Sequence, residues 1–153
     1  MFQKVLMVCL GNICRSPAAE GFLRDYFVKS GQTTRQVASA GISAVVDAPA
    51  SPHSVTVMKN KGVDISSHIA RQLTQEMMLE HDLVLVMETE QKKFLEQRFP
   101  FVRGKVHLVG KFQNREIEDP YLKPIEAFEV MVNQLEHCLQ DWIKHCWVHE
   151  GSR

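Results

Sequence analysis

The chain has 153 residues, of which 44% are hydrophobic, and its 18 basic side chains balance 18 acidic ones. This length suits one substantial core, so we expect a single domain over residues 1–153. The balanced charge argues against DNA or RNA as a partner, because nucleic acids require many cationic contacts. No apolar stretch is long enough to span a bilayer, and we expect neither a signal peptide nor a membrane partner. Four irregularly spaced cysteines do not form a secreted disulfide framework, so we expect a cytoplasmic protein.

Short apolar runs and amphipathic segments alternate along the chain. The runs predict interior strands over residues 5–8, 36–40, 83–87 and 105–109. The amphipathic segments predict helices over residues 17–31, 52–62, 89–98 and 125–146, and a brief helix that begins after Thr74. This alternation predicts an α/β fold, in which helices flank both faces of a four-stranded parallel sheet.

Cap residues set the expected helix starts. Ser16 and Pro17 fit the cap and the first position of the first helix, and Ser51 precedes a proline in the same way. Thr89 is the expected cap of the fourth helix.

Residues 9–16 read C-L-G-N-I-C-R-S and join the first predicted strand to the first helix. Ligands of parallel sheets bind beyond the carboxyl ends of the strands, where this loop lies. A helix N-terminus offers unpaired backbone N–H groups and a favourable dipole to anions. The loop is therefore a predicted oxyanion site.

The residue types in the loop fit the cleavage of a phosphate ester by a thiol. Backbone amides of Leu10, Gly11, Asn12, Ile13 and Cys14 form the predicted cradle for phosphate oxygens, with Gly11 allowing tight curvature.

Three further side chains complete that loop. Arg15 can hold two phosphate oxygens through its planar fork. Its positive charge and the helix N-terminus favour the thiolate form of Cys9, the candidate nucleophile. Ser16 is placed to donate a hydrogen bond to that sulfur. Neither a metal nor a cofactor is expected, because the guanidinium and the amides supply the positive charge.

The motif V-C-L-G-N-I-C-R-S-P resembles the signature of the low-molecular-weight protein tyrosine phosphatases. The blocks S-A-G-I-S (39–43), S-H-I-A-R-Q (67–72) and D-P-Y (119–121) follow in that family's order and approximate spacing. The resemblance implies the phosphotyrosine phosphatase I-like fold, a Rossmann-like three-layer arrangement. It also implies hydrolysis of phosphotyrosine and small aryl phosphates through a cysteinyl-phosphate intermediate on Cys9.

The same resemblance implies further site residues. Asp119 matches the family's general acid and base. Asn12, Ser43 and His68 match positions that support the loop through hydrogen bonds, and Tyr121 matches a wall of the cleft that stacks on an aromatic substrate.

The resemblance gives Cys14 a redox role. Cys14 would form a reversible disulfide with oxidised Cys9 and protect it from deeper oxidation. Peroxide should then inactivate the enzyme, and dithiothreitol should restore it less completely in a Cys14→Ser variant.

The cleft rim resembles bacterial members of the family. Residues 44–47 lack an aromatic side chain, and Leu122 stands where animal members have a second tyrosine. The expected partners are phosphotyrosine proteins, including a bacterial tyrosine kinase of exopolysaccharide export. We expect a monomer with a weak grip on the residues that flank phosphotyrosine.

Two other functions remain to be weighed. An arsenate reductase of this fold needs further cysteines after the third strand, and residues 87–98 contain none. A non-catalytic phosphotyrosine-binding relative would have lost Cys9, Arg15 or Asp119, and all three are present.

His145, Cys146 and His149 suggest a metal site only weakly, since no second pair of ligands accompanies them.

Overall fold

The computed structural model describes residues 2–148. Its strands are β1 (Lys4–Cys9), β2 (Gln36–Gly41), β3 (Leu83–Val86) and β4 (Val106–Leu108). Its helices are α1 (Arg15–Lys29), α2 (Pro52–Asn60), α3 (Gln75–Glu80), α4 (Thr89–Arg98) and α5 (Ile125–Cys146). Single 3₁₀ turns lie at Pro100–Val102 and Lys111–Gln113.

The sheet has the order β2-β1-β3-β4, and all three strand pairs are parallel. The predicted four-stranded parallel sheet is therefore confirmed. The connection from β1 leads to β2 on one side, and the next connection crosses from β2 to β3 on the other side of β1. The loop after Cys9 lies at this switch point in the strand order.

Helices cover both faces of the sheet, as predicted. Val5 and Met7 of β1 pack in a core with residues of α1, α2 and α5, whereas Leu6 and Val8 pack with residues of α3 and α4. This alternation follows from the two-residue period of a strand. All four side chains are fully buried, which explains why the sequence shows a continuous apolar run.

Two predicted helix starts are wrong by one or two residues. Helix α1 begins at Arg15 with Cys14 in the cap position, so Ser16 lies inside its first turn. Helix α4 is capped by Glu88, whose side chain and Gln91 form a reciprocal capping box, and not by Thr89. A carboxylate oxygen accepts the free N–H groups of a first turn as well as a threonine hydroxyl does. Helix α3 begins after Thr74 as predicted, and the Thr74 side chain caps it by accepting a hydrogen bond from the Met77 N–H.

The outer edge of β2 is covered by two arginines. Arg24 donates to the Val37 carbonyl at 2.9 Å, and Arg71 Nε donates to the Ser39 carbonyl at 3.0 Å. The Gly41 N–H donates to the Arg71 carbonyl. These contacts occupy backbone groups that an edge strand otherwise leaves open to pairing.

Over residues 2–148, the helices include none that combines the length and the apolar character needed to cross a membrane.

Leu85 provides a test of this packing. Its side chain is fully buried in the centre of β3, so Leu85→Ala should lower the free energy of unfolding by about 2–5 kcal/mol. Urea unfolding followed by circular dichroism measures this change. Val130→Ala, at an exposed position of α5, should change it by less than about 0.5 kcal/mol. Equal effects of the two substitutions would contradict the proposed core.

Candidate active site

The loop of residues 9–16 turns its carbonyl groups outward. The carbonyls of residues 9–13 all accept hydrogen bonds of 2.7–3.0 Å from outside the loop. The donors are the backbone N–H groups of Ile42, Ser43, Val45 and Ser51 and the Nε2 atom of His68. Within residues 2–148, the N–H groups of residues 10–15 donate to no other group. Six N–H groups are therefore left for a ligand, as the sequence predicted for residues 10–14.

The sharp turn of the loop falls at Asn12 and not at Gly11. Asn12 has φ 60°, in the left-handed region, which asparagine tolerates better than most residues. The close approach that requires a glycine is at Gly41, where a Cβ atom would lie 2.7 Å from the Leu10 carbonyl oxygen. Gly41 thus lets the loop pack on the end of β2.

Asn12 is held by three side-chain hydrogen bonds. Its Nδ2 donates to Ser16 Oγ at 2.7 Å and to Ser39 Oγ at 3.0 Å. Its Oδ1 accepts from the Arg71 backbone N–H at 2.9 Å. Together with the His68 bond to the Asn12 carbonyl, these contacts fix the residue with the unusual backbone angle.

Ser43 does not join this network through its hydroxyl. It contacts the loop by donating its backbone N–H to the Leu10 carbonyl. The hydroxyl that reaches Asn12 belongs to Ser39, at the start of the same S-A-G-I-S block. Ser43 therefore supports the loop through its backbone, and Ser39 of the same block is the serine whose hydroxyl joins the network.

Cys9 lies at the end of β1 and is 2% exposed. Its Sγ atom lies 2.9 Å from Ser16 Oγ. It lines a cavity of about 180 Å³. The other lining residues are Leu10, Gly11, Ile13, Cys14, Arg15, Ser43, Val45, Asp119 and Tyr121.

Arg15 begins α1 and is 1% exposed. Its Nη1 donates to Glu88 Oε2 at 2.6 Å and to the Ile117 carbonyl at 2.8 Å. Its Nε has no hydrogen-bond partner among residues 2–148. Buried donors are rarely left unpaired, so this one indicates a place for a ligand acceptor.

Asp119 lies on the segment between the second 3₁₀ turn and α5. Its Oδ2 is 3.6 Å from Arg15 Nη2, and its Oδ1 accepts the Tyr121 N–H at 3.1 Å. The bond from Arg15 to the Ile117 carbonyl holds this segment against the loop. Asp119 and Tyr121 therefore line the same cavity as Cys9, although they are more than 100 residues away in sequence.

Cys14 differs from a solvent-exposed thiol in its pKa. Burial, with smaller contributions from Asp119 and Cys9, raises the pKa of Cys14 to about 12. Hydrogen bonding from Ser51 and the charge of Arg15 oppose this shift. Cys14 is therefore protonated at neutral pH.

Sequence reasoning missed four residues that hold the site. Glu88 pairs with Arg15, and Ser39, Arg71 and Glu20 form contacts beneath the loop. Glu88 directly follows Met87 at the carboxyl end of β3, where polar residues often serve the ligand site, and this rule would have found it.

In the C-terminal region, His145 stacks on Phe112 at 4.1 Å, whereas His149 lies outside the described residues.

Comparisons with known proteins agree with this architecture. The family model for low molecular weight phosphotyrosine protein phosphatases matches residues 4–149. The protein-tyrosine-phosphatase Ptp of Acinetobacter johnsonii is 38% identical over 144 residues, which span 94% of this chain and 98% of Ptp.

Solved structures give the same result. Vibrio vulnificus Wzb in complex with benzylphosphonate has a TM-score of 0.88 and 36% identity, covering 95% of this chain and 99% of Wzb. The cysteine-to-serine mutant of the YwlE arginine phosphatase, which carries a phosphorylated serine in its active site, has a TM-score of 0.88 and 27% identity, covering 98% of this chain and 99% of YwlE.

A parallel α/β sheet whose switch-point loop leaves its backbone N–H groups free defines a protein with an anion-binding site. The chain belongs to the low molecular weight protein-tyrosine-phosphatase family. Its activity is therefore that of a phosphoric monoester hydrolase, and the alternative of an arsenate reductase is not favoured.

The pKa of Cys14 generates a prediction. At pH 8 a thiol with a pKa of about 12 has about 10³-fold less thiolate than one with the ordinary value of 9.0. In the native protein, iodoacetamide should modify Cys14 about 10³-fold more slowly than an exposed peptide cysteine, as measured by mass spectrometry. The urea-unfolded protein is the control, since Cys14 should react there at the ordinary rate. Equal rates in native and unfolded protein would show that the burial is wrong.

Proposed function

We propose that Cys9 is the nucleophile of this tyrosine phosphatase, Arg15 and the loop amides bind phosphate, and Asp119 is the general acid and base. The observation that carries the proposal is the set of unused donors above Cys9. The buried Arg15 Nε and six backbone N–H groups lack acceptors within the described chain. A phosphate dianion supplies several acceptor oxygens at once.

Binding of phosphate uses the free edge of the guanidinium. Arg15 Nη1 is occupied by Glu88 and Ile117, so Nε and Nη2 form the fork that is open to two phosphate oxygens. The loop amides bind the remaining charge. The phosphorus atom would thus be fixed above the Cys9 sulfur before reaction.

The first chemical step forms an S–P bond and breaks the P–O bond of the ester. The Cys9 thiolate attacks phosphorus in line, while Arg15 and the amides stabilise the equatorial oxygens. Asp119, which lines the cavity, gives its proton to the departing phenolate oxygen. The products are a cysteinyl-phosphate and a phenol.

The second step regenerates the enzyme. Asp119, now a carboxylate, accepts a proton from water as that water attacks phosphorus and the S–P bond breaks. Ser16 Oγ, 2.9 Å from the sulfur, can donate a hydrogen bond to the departing thiolate. In the cysteine-to-serine mutant of YwlE, the serine that replaces the cysteine carries phosphate, and a covalent phosphoenzyme of that kind in a related protein supports an intermediate on Cys9.

The cavity walls support an aromatic substrate. Leu10, Ile13, Val45 and Tyr121 surround the space above the loop with apolar atoms. The benzylphosphonate bound to Vibrio vulnificus Wzb is a ligand of this type. Tyr121 is 54% exposed, which leaves its ring available to stack on a phenyl group.

Physiological substrates are proposed to be phosphotyrosine proteins, among them a bacterial tyrosine kinase of exopolysaccharide export. Val46 and Leu122 present exposed aliphatic side chains in the predicted rim segments. They offer little to bind a peptide beyond the phosphotyrosine itself, in agreement with a weak preference for flanking sequence. Good activity on small aryl phosphates and low activity on phosphopeptides would agree with this view, whereas a strong sequence preference would not.

A cytoplasmic monomer fits the same mechanism. The reactive thiol requires a reducing compartment. All the proposed catalytic groups lie in one chain, so the reaction does not depend on a second copy.

Single substitutions test the three roles. Cys9→Ser should abolish turnover of p-nitrophenyl phosphate, because a serine hydroxyl is a weaker nucleophile than a thiolate and its alkoxide is a poorer leaving group from phosphorus. Asp119→Ala should lower kcat by about 10²–10⁴-fold, the range for loss of a general acid. Both are measured with EDTA present, and vanadate should compete with substrate in the wild-type protein.

Neighbouring residues provide the controls. Glu118→Ala removes an exposed carboxylate that pairs with Lys123, and Cys146→Ser removes a thiol of α5. Both variants should retain nearly all activity. Full activity in the Cys9→Ser variant would disprove the proposed nucleophile, and full activity in Asp119→Ala would disprove the proposed acid.

A second prediction concerns the leaving group. A phosphorylated guanidinium carries several N–H donors. The side chains of Leu10, Ile13 and Val45 give them no acceptor, so few of these donors can be paired by the polar side chains of the cavity, Asp119 and Ser43. Since unpaired buried polar groups reduce binding of the transition state, kcat/KM should be at least about tenfold higher for phosphotyrosine than for phosphoarginine. Release of phosphate from the two free amino acids measures the ratio. A ratio below one would place this chain with the arginine phosphatases.

A further inference from the structure

A polar pocket of about 270 Å³ lies beneath the loop, near the outer edge of β2. Glu20, Arg24, Ser39, His68 and Arg71 are among its lining residues. The side chain of Glu20 is 12% exposed, and Arg24 pairs with it. None of the catalytic steps described above uses Glu20, although its carboxylate is directed towards the loop.

A chain of hydrogen bonds connects this carboxylate to the nucleophile. Ser39 Oγ donates to Glu20 Oε1 at 2.5 Å, and Asn12 Nδ2 donates to Ser39 Oγ at 3.0 Å. Asn12 Nδ2 also donates to Ser16 Oγ at 2.7 Å, and Ser16 Oγ lies 2.9 Å from Cys9 Sγ. Four contacts therefore separate Glu20 from the sulfur.

We propose that Glu20 is a positioning residue, which acts through Ser39 and Asn12 to direct the hydroxyl proton of Ser16 at the Cys9 sulfur. This inference rests on the proposed function only in taking Cys9 as the nucleophile. It depends on which member of each contact gives the proton.

The direction of hydrogen-bond donation along this series of contacts is fixed at Glu20. A carboxylate accepts hydrogen bonds and cannot donate them, so it holds the single hydroxyl proton of Ser39. Ser39 Oγ then has only lone pairs to offer Asn12. If the Asn12 amide were turned over, its Oδ1 would face these lone pairs, and the two oxygens would repel each other.

The other side of the Asn12 amide imposes the same orientation. The backbone N–H of Arg71 is a donor only, and it faces Oδ1 at 2.9 Å. With both sides determined, Nδ2 points to Ser16 and occupies an acceptor site of its hydroxyl. The proton of Ser16 is then free to bond the sulfur, and a thiolate accepts it more strongly than a neutral thiol does.

Loss of the Glu20 carboxylate should weaken this fixed orientation of the Asn12 amide. Without Glu20, the Ser39 hydroxyl can rotate and donate to Asn12 Oδ1, so the turned amide becomes acceptable on that side. Only the Arg71 N–H would then oppose the turned amide, so Ser16 would donate to Asn12 for part of the time, and for that part the sulfur would be without its hydrogen bond. Arg24 balances the charge of Glu20, so the carboxylate adds little repulsion of its own to the thiolate.

Alkylation of Cys9 by iodoacetate tests the proposal without any phosphatase assay. Glu20→Ala and Glu20→Gln should each move the rate–pH profile of the reaction upward by as much as about one pH unit, because a hydrogen bond to a charged group stabilises that group by about tenfold or more. On the acidic side of the profile, the reaction should therefore be slower by up to about tenfold. Mass spectrometry of the Cys9 peptide separates this reaction from that of other thiols.

Two further substitutions on α1 serve as a matched control and as a conservative variant. Asp25→Asn makes the same acid-to-amide change five residues later, where the carboxylate pairs with Lys29 at the surface, and it should leave the profile unchanged. Glu20→Asp keeps an acceptor-only group and should recover part of the rate.

A double substitution separates a relay from general loosening. Ser39→Ala should slow the alkylation as Glu20→Ala does, and the double variant should be no slower than the slower single one, since both break the same chain. Fully additive effects would overturn the proposal, as would an unchanged pH profile in folded Glu20→Ala protein with a normal melting curve. If the profile shifts but the wild type hydrolyses no aryl phosphate, the proposed function fails while the role of Glu20 stands.

Discussion

The outward anchoring of five consecutive carbonyl groups, those of residues 9–13, is the constraint on which this site depends. A short loop has as many acceptors as donors, and a bound anion would be repelled by any carbonyl that faced it. The segment between β2 and α2 supplies four of the donors that hold these carbonyls away, and His68 supplies the fifth. The amides are consequently left facing one cavity. The oxyanion site is thus produced by the surroundings of the loop as much as by its own sequence.

Arg15 shows how one buried cation can serve binding and architecture together. One nitrogen is fixed by Glu88 and by the Ile117 carbonyl, which also holds the segment that carries Asp119. The remaining edge is open to the ligand. Because the guanidinium is restrained before substrate arrives, little order has to be gained during binding. A lysine could not divide its contacts in this way, since its charge is concentrated on a single atom.

The sequence was sufficient to predict the sheet, both helical layers and the loop, because these depend on local patterns. The buried runs of β1 and β3 and the stripe of α5 carry strong periodic signals. The contacts beneath the loop were harder to predict. Ser39 lies inside a strand and Glu20 looks like an ordinary helix surface residue, so their meeting depends on how β2 packs beside α1. The resemblance pointed to Ser43 in this block, and only the packing of β2 shows that the hydroxyl that reaches Asn12 is that of Ser39.

Arg71 has one further consequence for the whole molecule. Its side chain closes the outer edge of β2, and its backbone orients Asn12 in the loop. Any event that pulls this residue away, such as recruitment of a foreign strand by the sheet, also removes a support of the phosphate cradle. Self-association through that edge is therefore expected to lower the activity of the molecules that take part in it.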